Sequence, residues 1–133
     1  MLLGGARMGR TVAIGIQNFN ELIENNCFYV DKTSFIKEWW ESGDSVTQIT
    51  RPRRIGKTLT MSMVEQFFSV KYAGRSDLFE GLDIWKEERY RRMQGTYPVI
   101  SLSFANVKET TYAGARKKYA RCSQICMQNM LFY

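Results

Sequence analysis

Apolar residues recur at helical spacing near the start of the chain, which predicts two short helices. Asn18 can cap the first, and the pair Asn25–Asn26 closes it. Its apolar positions are Phe19, Leu22 and Ile23. Asp31 can cap the second helix and Gly43 is a natural C-terminal stop. Its apolar positions are Phe35, Ile36, Trp39 and Trp40.

A strand, a loop and a longer helix are predicted next. Residues 45–50, SVTQIT, are rich in β-branched side chains and precede Pro52, which indicates a strand entering a loop. After the loop, apolar and polar positions separate onto opposite sides of a helix, which indicates an amphipathic helix docked on a sheet. The apolar side holds Leu59, Met63, Val64, Phe67 and Phe68, and the polar side holds Thr60, Ser62, Glu65 and Ser69.

The second half of the chain predicts a further strand and a final helix. A short helical piece is expected around Phe79, followed by a charged helix or an extended connection over residues 84–94. Residues 96–104, TYPVISLSF, are nearly continuously apolar, as in a strand covered on both faces. A final helix runs from Thr110 onwards. The order strand, helix, strand predicts an α/β fold with a parallel, right-handed βαβ core.

The loop between the first strand and the long helix resembles a phosphate-binding loop. That motif reads G-x-x-x-x-G-K-[ST], and Gly56, Lys57 and Thr58 match its second half. Arg51 stands where the first glycine is expected, and Pro52 removes a backbone donor only upstream of the phosphate position. A tripeptide this short can occur by chance, so the prediction of a phosphate-binding loop depends on its position between a predicted strand and a predicted helix. The alternative is a basic turn without a ligand.

Each part of this loop has an expected role in binding ATP and Mg²⁺. The N–H groups that wrap the phosphate come from Arg54, Ile55, Gly56, Lys57, Thr58 and Leu59. Lys57 would bridge the β- and γ-phosphates, and Thr58 would hold Mg²⁺. The guanidinium groups of Arg53 and Arg54 suit phosphate oxygens, or they face solvent and pair with acidic residues elsewhere.

Composition removes several classes of chemistry. The 133 residues contain no histidine, which excludes Ser-His-Asp and Cys-His nucleophile systems and His-ligated metals. Three widely spaced cysteines are a poor disulfide framework and indicate a reducing, cytoplasmic setting. Residues 1–11 are expected to be a flexible leader, and their apolar run is too short for a signal peptide or membrane span.

Positive charge is concentrated near the C-terminus. The net charge is +6, and residues 108–133 carry five basic residues against one acidic residue. The segment ARKKYAR, residues 115–121, lies on the predicted final helix. Such a segment is most often a solvated helix face, and the alternative is contact with nucleic acid.

Four segments together resemble the bacterial AAA-ATPase-like family: IGIQNFNELIENNCFYVDKTSFIKE, TQITRPRRIGKTLTMSM, DLFEGL and YPVISLSFANVK. In that family the loop commonly reads RPRR, a hydrophobic residue and GKT, so Arg51 is the family's form. The resemblance covers residues 12–110, the N-terminal part of such a domain. Residues 111–133 form a basic terminal helix that is either truncated or divergent.

This resemblance implies an ATP-binding domain with the three-layer fold of P-loop NTPases, incomplete here and preceded by N-terminal helices. Longer relatives often add a nuclease-like C-terminal domain. The segment FYVDKT implies that Tyr29, Val30 and Asp31 line the base pocket, and the alternative places Tyr29 in the core and Asp31 at a helix cap.

Hydrolysis also needs an acid after a buried strand, and SLSFANVK supplies none. ATP binding without turnover by this chain alone is therefore the leading hypothesis. A non-catalytic remnant or interaction module, self-associating through exposed apolar surface, is the alternative. Nucleic-acid contact through the basic segments is a third.

Overall fold

The computed structural model describes residues 14–50, 56–105 and 107–130 together with Val12 and Pro52, apart from the side chains of Cys126 and residues 128–130. The α-helices in this part of the chain are α1 (Phe19–Glu24), α2 (Ser34–Ser42), α3 (Lys57–Phe68), α4 (Glu88–Met93) and α5 (Tyr112–Met130). Short 3₁₀ helices span Val70–Tyr72, Ser76–Leu78 and Asp83–Lys86. The architecture over the described ranges is therefore helical.

The ends of α1 and α2 follow from local sequence. Asn25 is the C-cap of α1, and Asn26 takes a positive φ of 49°, which asparagine tolerates better than most residues. Gly43 ends α2 in the left-handed conformation, as predicted. The predicted cap of α2 was wrong by two residues, because Thr33 and not Asp31 occupies the N-cap position.

Helix α3 buries the apolar face that its sequence predicts. Met63, Phe67 and Phe68 are buried, and Leu59 and Val64 pack against them. The expected sheet under this face is absent from the described residues, and α3 packs against α1 instead. Polar contacts join the two helices: the Phe19 N–H donates to Ser62 Oγ at 3.1 Å, and Gln66 Nε2 donates to Asn18 Oδ1.

The core is predominantly aromatic. Phe79 stacks on Phe19 with ring centres 5.3 Å apart and meets Phe67 edge-on at 5.2 Å. Such pairs stabilise a fold beyond the area that they bury. The fully or nearly fully buried members of the cluster are Phe19, Ile36, Met63, Phe67, Phe68, Leu78, Phe79, Ile84 and Tyr90. The N-terminal helices, α3, α4 and the 3₁₀ helices Ser76–Leu78 and Asp83–Lys86 thus contribute to one core.

The predicted α/β fold with a parallel βαβ core, in three layers, is wrong. Neither residues 45–50 nor residues 96–104 form a strand, and no strand occurs among the described residues. A strand exists only when a neighbouring chain segment accepts and donates its backbone hydrogen bonds, which local sequence does not specify. Ile100, Leu102 and Phe104, expected to be covered on both faces, are about half exposed.

A single parallel bridge, between Ser69 and Tyr97, is the β-pairing present among the described residues. The Tyr97 N–H donates to the Phe68 carbonyl, and the Val70 N–H donates to the Tyr97 carbonyl, each at 2.9 Å. The Gly95 N–H donates to the Phe67 carbonyl at 2.8 Å. This bridge fastens the chain after α4 to the C-terminal end of α3.

Helix α5 confirms the predicted final helix. It contacts the preceding segment through Phe104 and Tyr119, whose ring centres lie 5.0 Å apart, and through the ion pair of Lys118 and Glu109. The proposed leader, residues 1–11, lies outside the described residues. The division into residues 12–110 and residues 111–133 stays a prediction.

Candidate functional site

Gly56, Lys57 and Thr58, here called the GKT turn, form the beginning of α3. Gly56 is the N-cap residue in the left-handed conformation, with φ 81° and ψ 29°, which glycine adopts without strain. Lys57 and Thr58 are exposed in the first helical turn. The Thr60 N–H and hydroxyl both donate to the Gly56 carbonyl, at 2.9 and 3.0 Å, and fix the turn to the helix.

A cavity of about 1070 Å³ lies beside the GKT turn and contains all three of its residues in its lining. Tyr29 and Val30, two of the three residues predicted for the base pocket, line the same cavity. Apolar side chains from the N-terminal segment and from α1 complete it, among them Ile14, Ile16 and Leu22. The lining of the cavity thus combines a cationic and a hydroxyl-bearing side chain with apolar and aromatic side chains.

Tyr29 packs against the core and also lines this cavity. Its ring meets Phe19 edge-on at 5.5 Å, and its hydroxyl donates to Met63 Sδ at 3.3 Å while accepting from the Lys32 N–H at 3.2 Å. Burial raises the pKa of Tyr29 to about 12. The phenol therefore stays neutral at ordinary pH and is held by these contacts where Tyr29 lines the cavity.

Asp31 holds a turn together. Its Oδ1 accepts from the N–H and the hydroxyl of Thr33, at 2.8 and 2.7 Å, and its Oδ2 accepts from the Asp83 N–H at 2.7 Å. The buried Thr33 hydroxyl accepts in turn from the Ile84 N–H at 3.1 Å. Unlike Tyr29 and Val30, Asp31 lines a second, smaller cavity of about 270 Å³.

This smaller cavity brings together residues that sequence reasoning missed. Lys32 and Glu38 line it with Lys57 and Thr60. Lys32 follows Asp31 in the FYVDKT segment. A positive charge next to a residue predicted for the base pocket is the sequence feature that could have identified it. Glu38 gives no such signal in the sequence, because an acidic residue on the polar side of α2 is typical of a solvated face.

Of the remaining predicted loop residues, Leu59 is among the described residues and the others are not. Leu59 is half-buried and packs against the core cluster while also lining the larger cavity. Arg51, Arg53, Arg54 and Ile55 lie outside the described residues, so their phosphate contacts stay predictions. The same holds for the assignment of Thr58 as an Mg²⁺ ligand.

Other surfaces predicted to bind partners are visible in the fold. Arg116, Lys117 and Arg121 are exposed on α5, and nucleic-acid contact by this helix stays a prediction, as does self-association. Over the described part of the chain, no helix is both long and apolar enough to cross a membrane. The cytoplasmic location also stays a prediction.

Comparison with known proteins places the chain in a family. The family described as "Predicted AAA-ATPase" (AAA-ATPase-like) matches residues 13–132. An uncharacterized protein in the vnfD 5' region of Azotobacter chroococcum mcd 1 is 34% identical over 96 residues, which cover 71% of this chain. Those residues span 17% of that relative's length. No solved structure matches this chain. Since the family match takes in nearly the whole sequence, the chain belongs to the AAA-ATPase-like family.

Proposed function

We propose that the chain binds ATP with Mg²⁺, with the phosphates at the GKT turn and the base against Tyr29 and Val30. The observation that carries this proposal is the cavity of about 1070 Å³ that runs along both groups of residues. Membership of the AAA-ATPase-like family supports the same ligand. The two segments involved, residues 29–30 and 56–58, are well separated in the chain, so their common cavity is not a consequence of local spacing.

The chemistry of the lining fits a nucleotide. The cavity volume of about 1070 Å³ lies just above the roughly 300–1000 Å³ range typical of small-molecule sites, and its lining includes apolar side chains that suit an adenine base. Lys57 offers a cation and Thr58 a hydroxyl in the first turn of α3, where the helix dipole also favours anions. Bound Mg²⁺ would neutralise phosphate charge, and the Thr58 hydroxyl is the group proposed to hold it.

We further propose that this chain does not turn ATP over by itself. Phosphoryl transfer to water needs a group that orients the attacking water. The described lining of the larger cavity contains no acidic residue, and Asp31 is committed to the turn that it shares with Thr33 and Asp83. Binding without hydrolysis is therefore the proposed activity of the isolated chain.

Calorimetric titration with ATP and Mg²⁺ tests the proposal. Lys57→Ala is expected to weaken binding at least tenfold, because hydrogen bonds between charged groups contribute about 1.5–3 kcal/mol. Lys71→Ala is the matched control, since Lys71 is exposed beyond the opposite end of α3, over the Tyr72 ring. Equal affinity in the wild type and in Lys57→Ala would remove the proposal.

A further inference from the structure

We infer that Lys32 is a second phosphate-binding lysine, acting beside the GKT turn on the same nucleotide as Lys57. This inference rests on the proposed function. It concerns a residue that neither the loop motif nor the base-pocket assignment includes. Lys32 binds the polyphosphate of ATP and belongs to the segment that precedes α2.

The cavities place Lys32 beside the GKT turn. Among the described residues, Lys32 and Lys57 are the two that line both the larger and the smaller cavity. Lys32 Nζ lies 3.8 Å from the point that a Cβ on Gly56 would occupy. The ammonium group is therefore positioned over the glycine of the GKT turn, where a phosphate would approach the backbone.

The backbone that carries Lys32 is held on both sides. The Lys32 N–H donates to the Tyr29 hydroxyl, and the next residue, Thr33, is buried and bonded to both Asp31 and Ile84. The Lys32 side chain itself is exposed. A long cationic side chain on a fixed base can reach a ligand with less loss of conformational freedom than one on a mobile loop.

The charges around the two cavities favour an anion between the lysines. Lys32 and Lys57 line both cavities, and a phosphate placed between them would attract both ammonium groups. Glu38 lies in the smaller cavity, and the Asp31 oxygens are occupied by hydrogen bonds to Thr33 and Asp83. The described lining of the larger cavity contains Lys32 and Lys57 and no acidic residue, a composition that suits a polyphosphate.

Titration of ATP and Mg²⁺ into Lys32→Gln and Lys32→Arg tests this role. Lys71→Gln serves as the matched control and Lys57→Ala as the reference for the proposed function. We expect Lys32→Gln to weaken ATP binding roughly tenfold through loss of one charged hydrogen bond. Lys32→Arg should retain most of the affinity, because guanidinium also binds phosphate. Lys71→Gln should bind as the wild type does.

Thermal unfolding without nucleotide separates a binding role from a structural one. If Lys32 acts on the ligand, Lys32→Gln unfolds at the wild-type temperature. A lower unfolding temperature together with failure of Lys32→Arg to restore affinity would overturn the inference. Wild-type ATP affinity in Lys32→Gln, with loss in Lys57→Ala, would also overturn it and leave the proposed function standing. Equal affinity in the wild type and Lys57→Ala would remove both.

Discussion

Gly95 lies against the backbone of Ala73, which is distant from it in the sequence. It takes a positive φ of 68°, and a Cβ built on it would lie 2.6 Å from the Ala73 Cα. Its N–H donates to the Phe67 carbonyl, next to the bridge between Ser69 and Tyr97. Both conformation and space therefore require glycine at this position.

Replacement of Gly95 separates these two requirements. Gly95→Ala is expected to lower the free energy of unfolding by roughly 3 kcal/mol or more, since it adds a backbone clash to the left-handed strain. Gly43→Ala is the matched control, with a φ of 65° and nothing within 4 Å of its added Cβ. It should cost about 1–2 kcal/mol. Equal losses in urea unfolding would show that the close approach to Ala73 is unimportant.

The segment of residues 97–104 is packed against the fold at its start and exposed further on. Tyr97 is bridged to Ser69, and Val99 packs against the core cluster. Beyond it, Ile100 is 55% exposed and Leu102 is 47% exposed. The apolar character of this half of the segment therefore contributes little burial to the described fold.

Serine substitutions at these positions measure that contribution. Ile100→Ser and Leu102→Ser are expected to change the free energy of unfolding by about 0.5 kcal/mol or less each, as surface substitutions do. Ile36→Ala, in the buried core, should cost about 2–5 kcal/mol. Chemical denaturation of the three variants makes the comparison. If Ile100→Ser and Leu102→Ser lower the free energy of unfolding as much as Ile36→Ala does, these two side chains are covered in the folded chain.

Helices were predictable at this scale and strands were not. The spacing of Phe19 and Leu22, the stop at Gly43 and the apolar face of α3 are local signals, and the structure confirms each. A helix satisfies its own backbone within the segment, whereas a strand depends on a partner elsewhere. Residues 45–50 and 96–104 have strand-like composition, but no described segment pairs with them along their length.

Within the molecule as a whole, α3 links the candidate site to the core. Its first turn carries Lys57 and Thr58 at the cavity, and its second half buries Met63 and Phe67. A ligand that binds the folded chain alone must stabilise the whole cooperative unit by mass action. Nucleotide binding and global stability are thus expected to vary together.

Thermal unfolding with and without nucleotide checks this linkage. At an ATP–Mg²⁺ concentration about 100 times the Kd, the free energy of unfolding should rise by about 2.7 kcal/mol. For a chain of this size, the unfolding temperature should then rise by about 10 °C. Lys57→Ala, which is expected to bind at least tenfold more weakly, should lose about half of that rise or more at the same ATP concentration. A wild-type unfolding temperature that ATP leaves unchanged would contradict the linkage.

The residues of the candidate site were predictable from the sequence where a known motif or the family resemblance includes them. Gly56, Lys57 and Thr58 came from a spacing rule, and Tyr29 and Val30 from a resemblance. Lys32 and Glu38 reach the same region because the chain before α2 and α2 itself fold beside α3. No sequence pattern encodes that proximity, since it arises from tertiary packing between segments about 20 positions apart or more.

The polar contacts between α1 and α3 bear on how fast the chain acquires its structure. Asn18 and Gln66 are 48 positions apart, and Phe19 and Ser62 are 43 apart. Small helical proteins fold rapidly when their contacts are local, and rates fall as contacting residues become more distant in sequence. Because loop closure must precede the docking of α1 on α3, refolding should be slower than in helical bundles of similar size.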